Sequence, residues 1–303
     1  MRVALIGYGA VAAVHARGLK GHAEVLTVCG PDQRKAEAFA ELYGIPHADT
    51  SLKTAFNRAE GAIICSPSPL HYEQGREALN TGIHVLIELP ACTSETEAHD
   101  LEALAGNRRT LQCAHTSRYL EPYRRFTSWI QAGTLGHIRH VQYVRSIPPR
   151  TRSWTDDALW HHAAHALDLF LLWFGSLEPL SCTAHPAVPA AQDLSLTALL
   201  PGNAPAAISI SYTSRLPETK MTVIGSCHTV ATDGFTYISS DDAYFKWQDC
   251  EQPTYESAIR EQDIAFCDAC RGRQAGILWD QTIRLTKCLA DFVDLSALRR
   301  NTL

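Results

Sequence analysis

The chain has 303 residues, 46% of them hydrophobic and 19% charged, with a formal net charge of −5. That length exceeds one ordinary core and fits two domains, and the composition excludes an intrinsically disordered chain. The acidic balance, with no basic patch and no interleaved aromatic stripe, excludes a nucleic-acid partner. The opening stretch Met1–Ile6 runs straight into a glycine turn and is too short an apolar segment for a signal peptide. The longest later apolar run, 167–175, is broken by Asp168 and falls short of the roughly 20 residues of a membrane span. A cytoplasmic protein with no membrane partner is expected. The ten cysteines are scattered singly apart from Cys267-x-x-Cys270, which lies in a helical stretch without a second pair. They read as small buried apolar residues, not as disulfides or a metal site.

In chain order, strands are predicted at 3–6, 25–29, 61–65, 84–88 and 111–114, with helices at 11–19, 34–43, 69–80 and 94–105 between them. Strands alternating with helices of this length make βαβ units and a doubly wound parallel sheet, a Rossmann domain over 1–118. Gly44 and Gly82 fall at the expected helix C-termini. From 119 to 303 the rhythm changes. A helix (120–132) and a strand (138–146) are followed by a loop rich in Pro and Arg and a helix from about 157 to 174. Strands at 188–200, 206–214 and 220–224 alternate as antiparallel strands do, and helical stretches begin near 254 and 280. The second domain is therefore read as α/β with an open, mostly antiparallel mixed sheet.

Gly7-Tyr8-Gly9-Ala10-Val11-Ala12 follows the first strand and opens a helix, the context a dinucleotide fingerprint requires. Gly7 and Gly9 permit the tight turn and backbone approach to a pyrophosphate, which the amides of Ala10 and Val11 would meet, and Ala12 is an accepted third position. The alternative is a plain strand-to-helix turn. At the end of the second strand, Gly30 occupies the place of the acid that binds the 2′-hydroxyl of NAD, and Arg34 follows. This favours NADP, with NAD possible because of Asp32.

Three further pieces are Cys65-Ser66-Pro67-Ser68-Pro69-Leu70-His71, Ile87-Glu88-Leu89-Pro90 and His165-Ala166-Leu167-Asp168. Together they resemble the Gfo/Idh/MocA oxidoreductase family over almost the whole chain. The resemblance implies that Ser66, Pro67 and His71 lie beside the nicotinamide ribose, that Glu88 and Pro90 belong to a Glu-Lys-Pro motif, and that His165 and Asp168 lie at the catalytic face. The chain departs from the family at Leu89, which replaces a lysine commonly catalytic there. The segments 152–156 and 159–165, with His115-Thr116-Ser117-Arg118, are similar to family members that oxidise the cyclic hemiacetal of a carboxylated muconate semialdehyde to a pyrone dicarboxylate. That likeness implies a small carboxylated substrate. The family's open sheet commonly mediates association, so a homo-oligomer is expected by analogy.

Such a reaction needs a base, a hydride acceptor and cations for the substrate carboxylates. His165 serves as base, since imidazole as a residue type titrates near neutrality, and Asp168, three residues on, can orient it. The alternative for His165 is a satisfied core histidine. His161 and His165 have the spacing of a zinc pair, but the glutamate of a zinc-protease helix is missing, so no metal is assigned. His161 and His162 are read as donors to substrate oxygens or as helix packing beside Trp160. Arg118, Arg150 and Arg152 are candidate carboxylate forks. Trp154 and Trp160 can stack on a flat ring or fill the core. A sugar lactol or polyol dehydrogenase is the second reading, and a nucleotide-binding protein without turnover the third.

Overall fold

A computed structural model describes residues 1–149, 157–248, 255–273 and 276–300. The chain clusters into two units, one made of 1–116 and 256–286, the other of 117–255 and 287–303. The expected boundary at 118/119 thus falls close to the first crossing, but residues 256–286, expected with the second domain, belong to the first unit.

The first unit runs β1 (Arg2–Ile6), α1 (Ala10–Gly18), β2 (Glu24–Cys29), α2 (Gln33–Tyr43), β3 (His47–Asp49), α3 (Leu52–Arg58), β4 (Gly61–Ile64), α4 (His71–Asn80), β5 (His84–Ile87), α5 (Glu95–Ala105) and β6 (Leu111–Cys113). Its six strands are all parallel in the order β3-β2-β1-β4-β5-β6. The order reverses between β1 and β4, and a ligand of such a sheet binds outside the carboxyl ends of the strands at that switch point. β1, β4 and β5 are buried almost throughout, as strands covered on both faces must be. Gly44 ends α2 in the left-handed region at φ +70°.

The second unit contains α6 (Glu121–Gln131), β7 (Ile138–Ser146), a π-helical turn (Leu159–Ala163), α7 (Ala164–Phe174), β8 (Glu178–His185), β9 (Asp193–Leu200), β10 (Ala204–Ser211), β11 (Glu218–Gly225), β12 (Thr229–Thr232), β13 (Tyr237–Ser240) and β14 (Trp247–Gln248). Its eight strands are ordered β14-β13-β12-β11-β7-β10-β9-β8, and only the β7–β10 pair is parallel. Burial alternates residue by residue along β9 and β10, the pattern of a sheet with one covered face and one wet face. The predicted strand at 188–200 starts only at Asp193, because Pro186 and Pro189 remove ladder donors from the approach.

Two helices close the chain, α8 (Tyr255–Cys270) and α9 (Trp279–Arg300). Phe266 and Cys267 of α8 enter the same buried cluster as Val3, Leu5, Ala12 and Val28, which is why this helix belongs to the first unit.

Candidate active site

In the first unit, Gly7 has φ +119°, and a Cβ there would sit 2.7 Å from the Cys65 carbonyl oxygen, so only glycine fits the turn. Gly9, the N-cap of α1, is different. Its φ of −82° suits any residue, and a Cβ would meet nothing within 4 Å. Gly9 and Ala10 are exposed although they lie at the carboxyl end of a buried strand. The protein's own atoms therefore do not demand glycine at 9, whereas a pyrophosphate lying over the first amides of α1 would.

At the end of β2 the Tyr8 ring lies against Gly30, where a Cβ would come within 2.3 Å of it, and the Tyr8 hydroxyl accepts from the Asp32 amide at 3.2 Å. The Asp32 carboxylate caps α2 by accepting from the Lys35 amide at 3.2 Å. Arg34 and Lys35 are exposed in the first turn of that helix.

Next to β4, the Ser66 hydroxyl donates to Gln74 at 2.6 Å, and Pro67 is exposed. His71 is buried, with Nδ1 2.8 Å from the Pro90 carbonyl oxygen and Nε2 2.8 Å from that of Ser66. Its ring nitrogens thus brace the loops after β4 and β5 against each other. Pro90 is buried behind a cis Leu89–Pro90 bond, and Leu89 is 4% exposed.

Glu88 ends a chain of charges that sequence reasoning missed. His15 of α1 lies 2.9 Å from Asp263 of α8 through Nδ1 and 3.2 Å from Glu88 through Nε2. The His15 and Asp263 side chains are fully buried and Glu88 is 12% exposed. Burial works against the His15 imidazolium, but the attraction and hydrogen bonds of Asp263 and Glu88 outweigh it and raise its pKa to about 10. Nothing in a linear pattern joins residues 248 positions apart.

In the second unit the three predicted histidines are brought together. The ring centroids of His161 and His162 are 4.4 Å apart, those of His161 and His165 5.9 Å, and those of His162 and His165 6.5 Å. The π-helical turn produces this arrangement, since it inserts an extra residue per turn just before the regular helix carrying His165, and such turns recur at functional sites. His162 is buried, with Nδ1 2.7 Å from the hydroxyl of Tyr212, another residue the sequence did not single out. Trp160 is buried at 9% exposure, which suits its packing reading.

Asp168, expected to orient His165, is paired with the guanidinium of Arg118. Arg118 donates to both its carboxylate oxygens, Nε to Oδ2 at 2.9 Å and Nη2 to Oδ1 at 2.5 Å. The Arg118 fork, assigned to substrate, is thus engaged within the protein, because Asp168 is only 2% exposed and its buried charge requires a partner. Arg150, Arg152 and Trp154 lie outside the described residues. Among the described residues no three of His, Cys, Asp and Glu are arranged to hold a metal ion, and no helix is long and apolar enough to cross a membrane.

Residues 1–115 match the profile of an oxidoreductase family with an NAD-binding Rossmann fold, the Gfo/Idh/MocA family, and residues 142–253 match that of the C-terminal domain of bacterial oxidoreductases. The chain belongs to the Gfo/Idh/MocA oxidoreductase family. It is an NAD(P)-dependent oxidoreductase. It is similar to 4-carboxy-2-hydroxymuconate-6-semialdehyde dehydrogenase of Sphingobium sp. (strain NBRC 103272 / SYK-6), with 29% identity over 80% of each chain. Its fold is shared by UDP-N-acetylglucosamine 3-dehydrogenase from Acidithiobacillus ferrooxidans, at a TM-score of 0.82 and 21% identity over 97% of each chain. It is shared too by scyllo-inositol dehydrogenase from Lactobacillus casei, solved with NAD(H) and scyllo-inositol, at 0.81 and 14% over 97% of this chain and 96% of that one.

Proposed function

We propose that this oxidoreductase uses NADP to oxidise a carboxylated cyclic hemiacetal, that of 4-carboxy-2-hydroxymuconate-6-semialdehyde, to 2-pyrone-4,6-dicarboxylate. The observation that carries the reading is the histidine cluster of the π-helical turn, in a chain whose lysine position holds a buried leucine. Leucine moves no proton, so the base must come from elsewhere, and His165 is the assigned group. Gly7, Gly9, Ala10 and Val11 would hold the pyrophosphate, with Ser66, Pro67 and Glu88 toward the nicotinamide and His71 and Pro90 supporting their loops. Arg34 would take a 2′-phosphate, since Gly30 offers no carboxylate to repel it and Asp32 is engaged at the helix cap. When bound, the nicotinamide accepts the hydride that leaves the C–OH carbon. His165 takes the hydroxyl proton, and the carbonyl of the lactone forms as it does so. His161 and His162 donate to ring oxygens, and Arg150 and Arg152 add charge for the carboxylates. The protein would work in the cytoplasm, as a homo-oligomer associating through its open sheet.

The test is turnover of this semialdehyde with NADP and with NAD, followed by the absorbance of the reduced nicotinamide. Turnover with NADP is expected, and His165→Ala should lower kcat about a hundredfold to ten-thousandfold, the usual worth of a general base. No reduction with either cofactor removes this substrate. Turnover of sugar lactols or polyols instead would establish the second reading, in which Arg150 and Arg152 are dispensable for binding.

A further inference from the structure

Arg145 of β7 is a cation with no counter-charge among the described residues. It shares the covered face of the sheet with Tyr143 and Val141, two and four residues before it, and pairs in register with Ile210 of β10, the strand that leads to Tyr212. Its Nε is buried and meets no hydrogen-bond partner. The groups that face the guanidinium are three phenols, Tyr143, Tyr123 and Tyr212, and among the described residues no carboxylate lies within ion-pair distance of it. Burial holds Tyr123 well above the ordinary phenol range, so that hydroxyl remains neutral. Nearby Asp233 is occupied by its own turn, accepting from the amides of Phe235 and Thr236 and from the Thr236 hydroxyl.

A guanidinium whose Nε is buried without a partner, on a half-buried side chain with no anion beside it, is costly, and a fold with no use for it is stabilised by losing it. The contrast with Arg118 is direct, because that guanidinium has Asp168 on both prongs. Tyr212 is the bridge to the chemistry, since its hydroxyl is within 2.7 Å of His162 in the histidine cluster. We propose that Arg145 is the anchor for a carboxylate of the substrate, forming a two-pronged ion pair beside Tyr212 and His162. The proposal rests on the reading that the substrate is a small carboxylate, and it makes Arg145, which the sequence did not single out, a residue that separates acidic substrates from neutral sugars. An arginine fork suits a planar carboxylate better than a lysine would, because two parallel N–H groups meet its two oxygens.

The experiment uses the whole protein and two probes, isophthalate and its neutral diamide, with binding read by calorimetry and by the shift in melting temperature. Wild type should bind isophthalate and not the diamide. Arg145→Met should weaken isophthalate binding about ten- to hundredfold, the worth of charged hydrogen bonds, while its own melting temperature stays equal or rises, as removal of an unpaired buried charge requires. Arg145→Lys should recover part of the binding. A structural arginine would give the opposite pattern, with a lower melting temperature in Arg145→Met and unchanged isophthalate binding, and that result overturns the proposal. Equal binding of isophthalate and diamide by wild type overturns it as well. Arg145-dependent isophthalate binding without turnover of the semialdehyde would sustain the anchor and remove only the substrate named above.

Discussion

Two glycines two residues apart serve different masters, and substitution separates them. Gly7 has a φ that alanine resists and a carbonyl where its methyl would go, so Gly7→Ala should lower the melting temperature and the yield of folded protein. At Gly9 the backbone accepts alanine and the space is open, so Gly9→Ala should melt with wild type while its Kd for NADPH, read by fluorescence titration, rises about tenfold or more, as loss of a close phosphate contact would cause. Unchanged NADPH affinity in Gly9→Ala would move the pyrophosphate elsewhere. The motif showed both glycines in the sequence, but not which of them the protein itself needs. Other residue-level features were not legible at all. The partners of His15, Arg118 and His162 lie 248, 50 and 50 positions away, and only folding brings them together.

Elements were readable where their hydrophobic pattern was long. β1, β2, β4, β5 and β6 lie within a residue or so of their predicted spans, since their apolar runs are bounded by turns. β3 is His-Ala-Asp, and β12 to β14 are two to four residues long, too short to display a period. The helix expected from 157 to 174 is present in outline, but its first turn is π-helical, and no spacing rule reveals the extra residue that gathers the histidines. Besides its buried apolar face, α7 is tied down by the Arg118 fork on Asp168, with side chains only 11% and 2% exposed. Removing one member of a buried pair strands the other, so Asp168→Asn or Arg118→Ala should each cost about 3–5 kcal/mol of stability in urea unfolding. Turnover should fall with it, since His165 shares this helix. A loss below about 1 kcal/mol would mean that the pair behaves as a solvated surface contact.

For the whole molecule, the division into a parallel-sheet unit and a mostly antiparallel one was legible from the change of rhythm near residue 118. The return of α8 to the first unit was not, because an amphipathic helix does not announce which sheet it will cover. That return places Asp263 against His15, and the consequence is a pH dependence of global stability. Burial raises the Asp263 carboxyl, and the two carboxylates raise His15 from an ordinary 6.5 to about 10, so the folded pair holds a proton that the unfolded chain releases. The state that binds more protons gains as pH falls, so this contribution is fully present below about pH 6.5 and is lost as pH rises through 10. One proton of difference gives a slope of about 1.4 kcal/mol per pH unit across that window. Above the ordinary thiol value of 9.0 the buried cysteines act in the same direction, since burial holds Cys29 and Cys267 at about 11 and Cys92, Cys270 and Cys288 at about 12. On the acid side, Asp233 is held below its ordinary value, despite its burial, by hydrogen bonds from Thr236, Phe235 and Tyr237, and it loses its contribution as pH falls. Urea midpoints should therefore peak on the acid side of neutrality and decline between about pH 6.5 and about pH 9, a range in which the thiols are silent. The double variant His15→Gln/Asp263→Asn replaces the charged pair with two amides and should flatten that decline while leaving the fall above 9.0 in place. An unchanged slope in the double variant would mean that the proton is held elsewhere, and that the pair between α1 and α8 is an ordinary neutral contact.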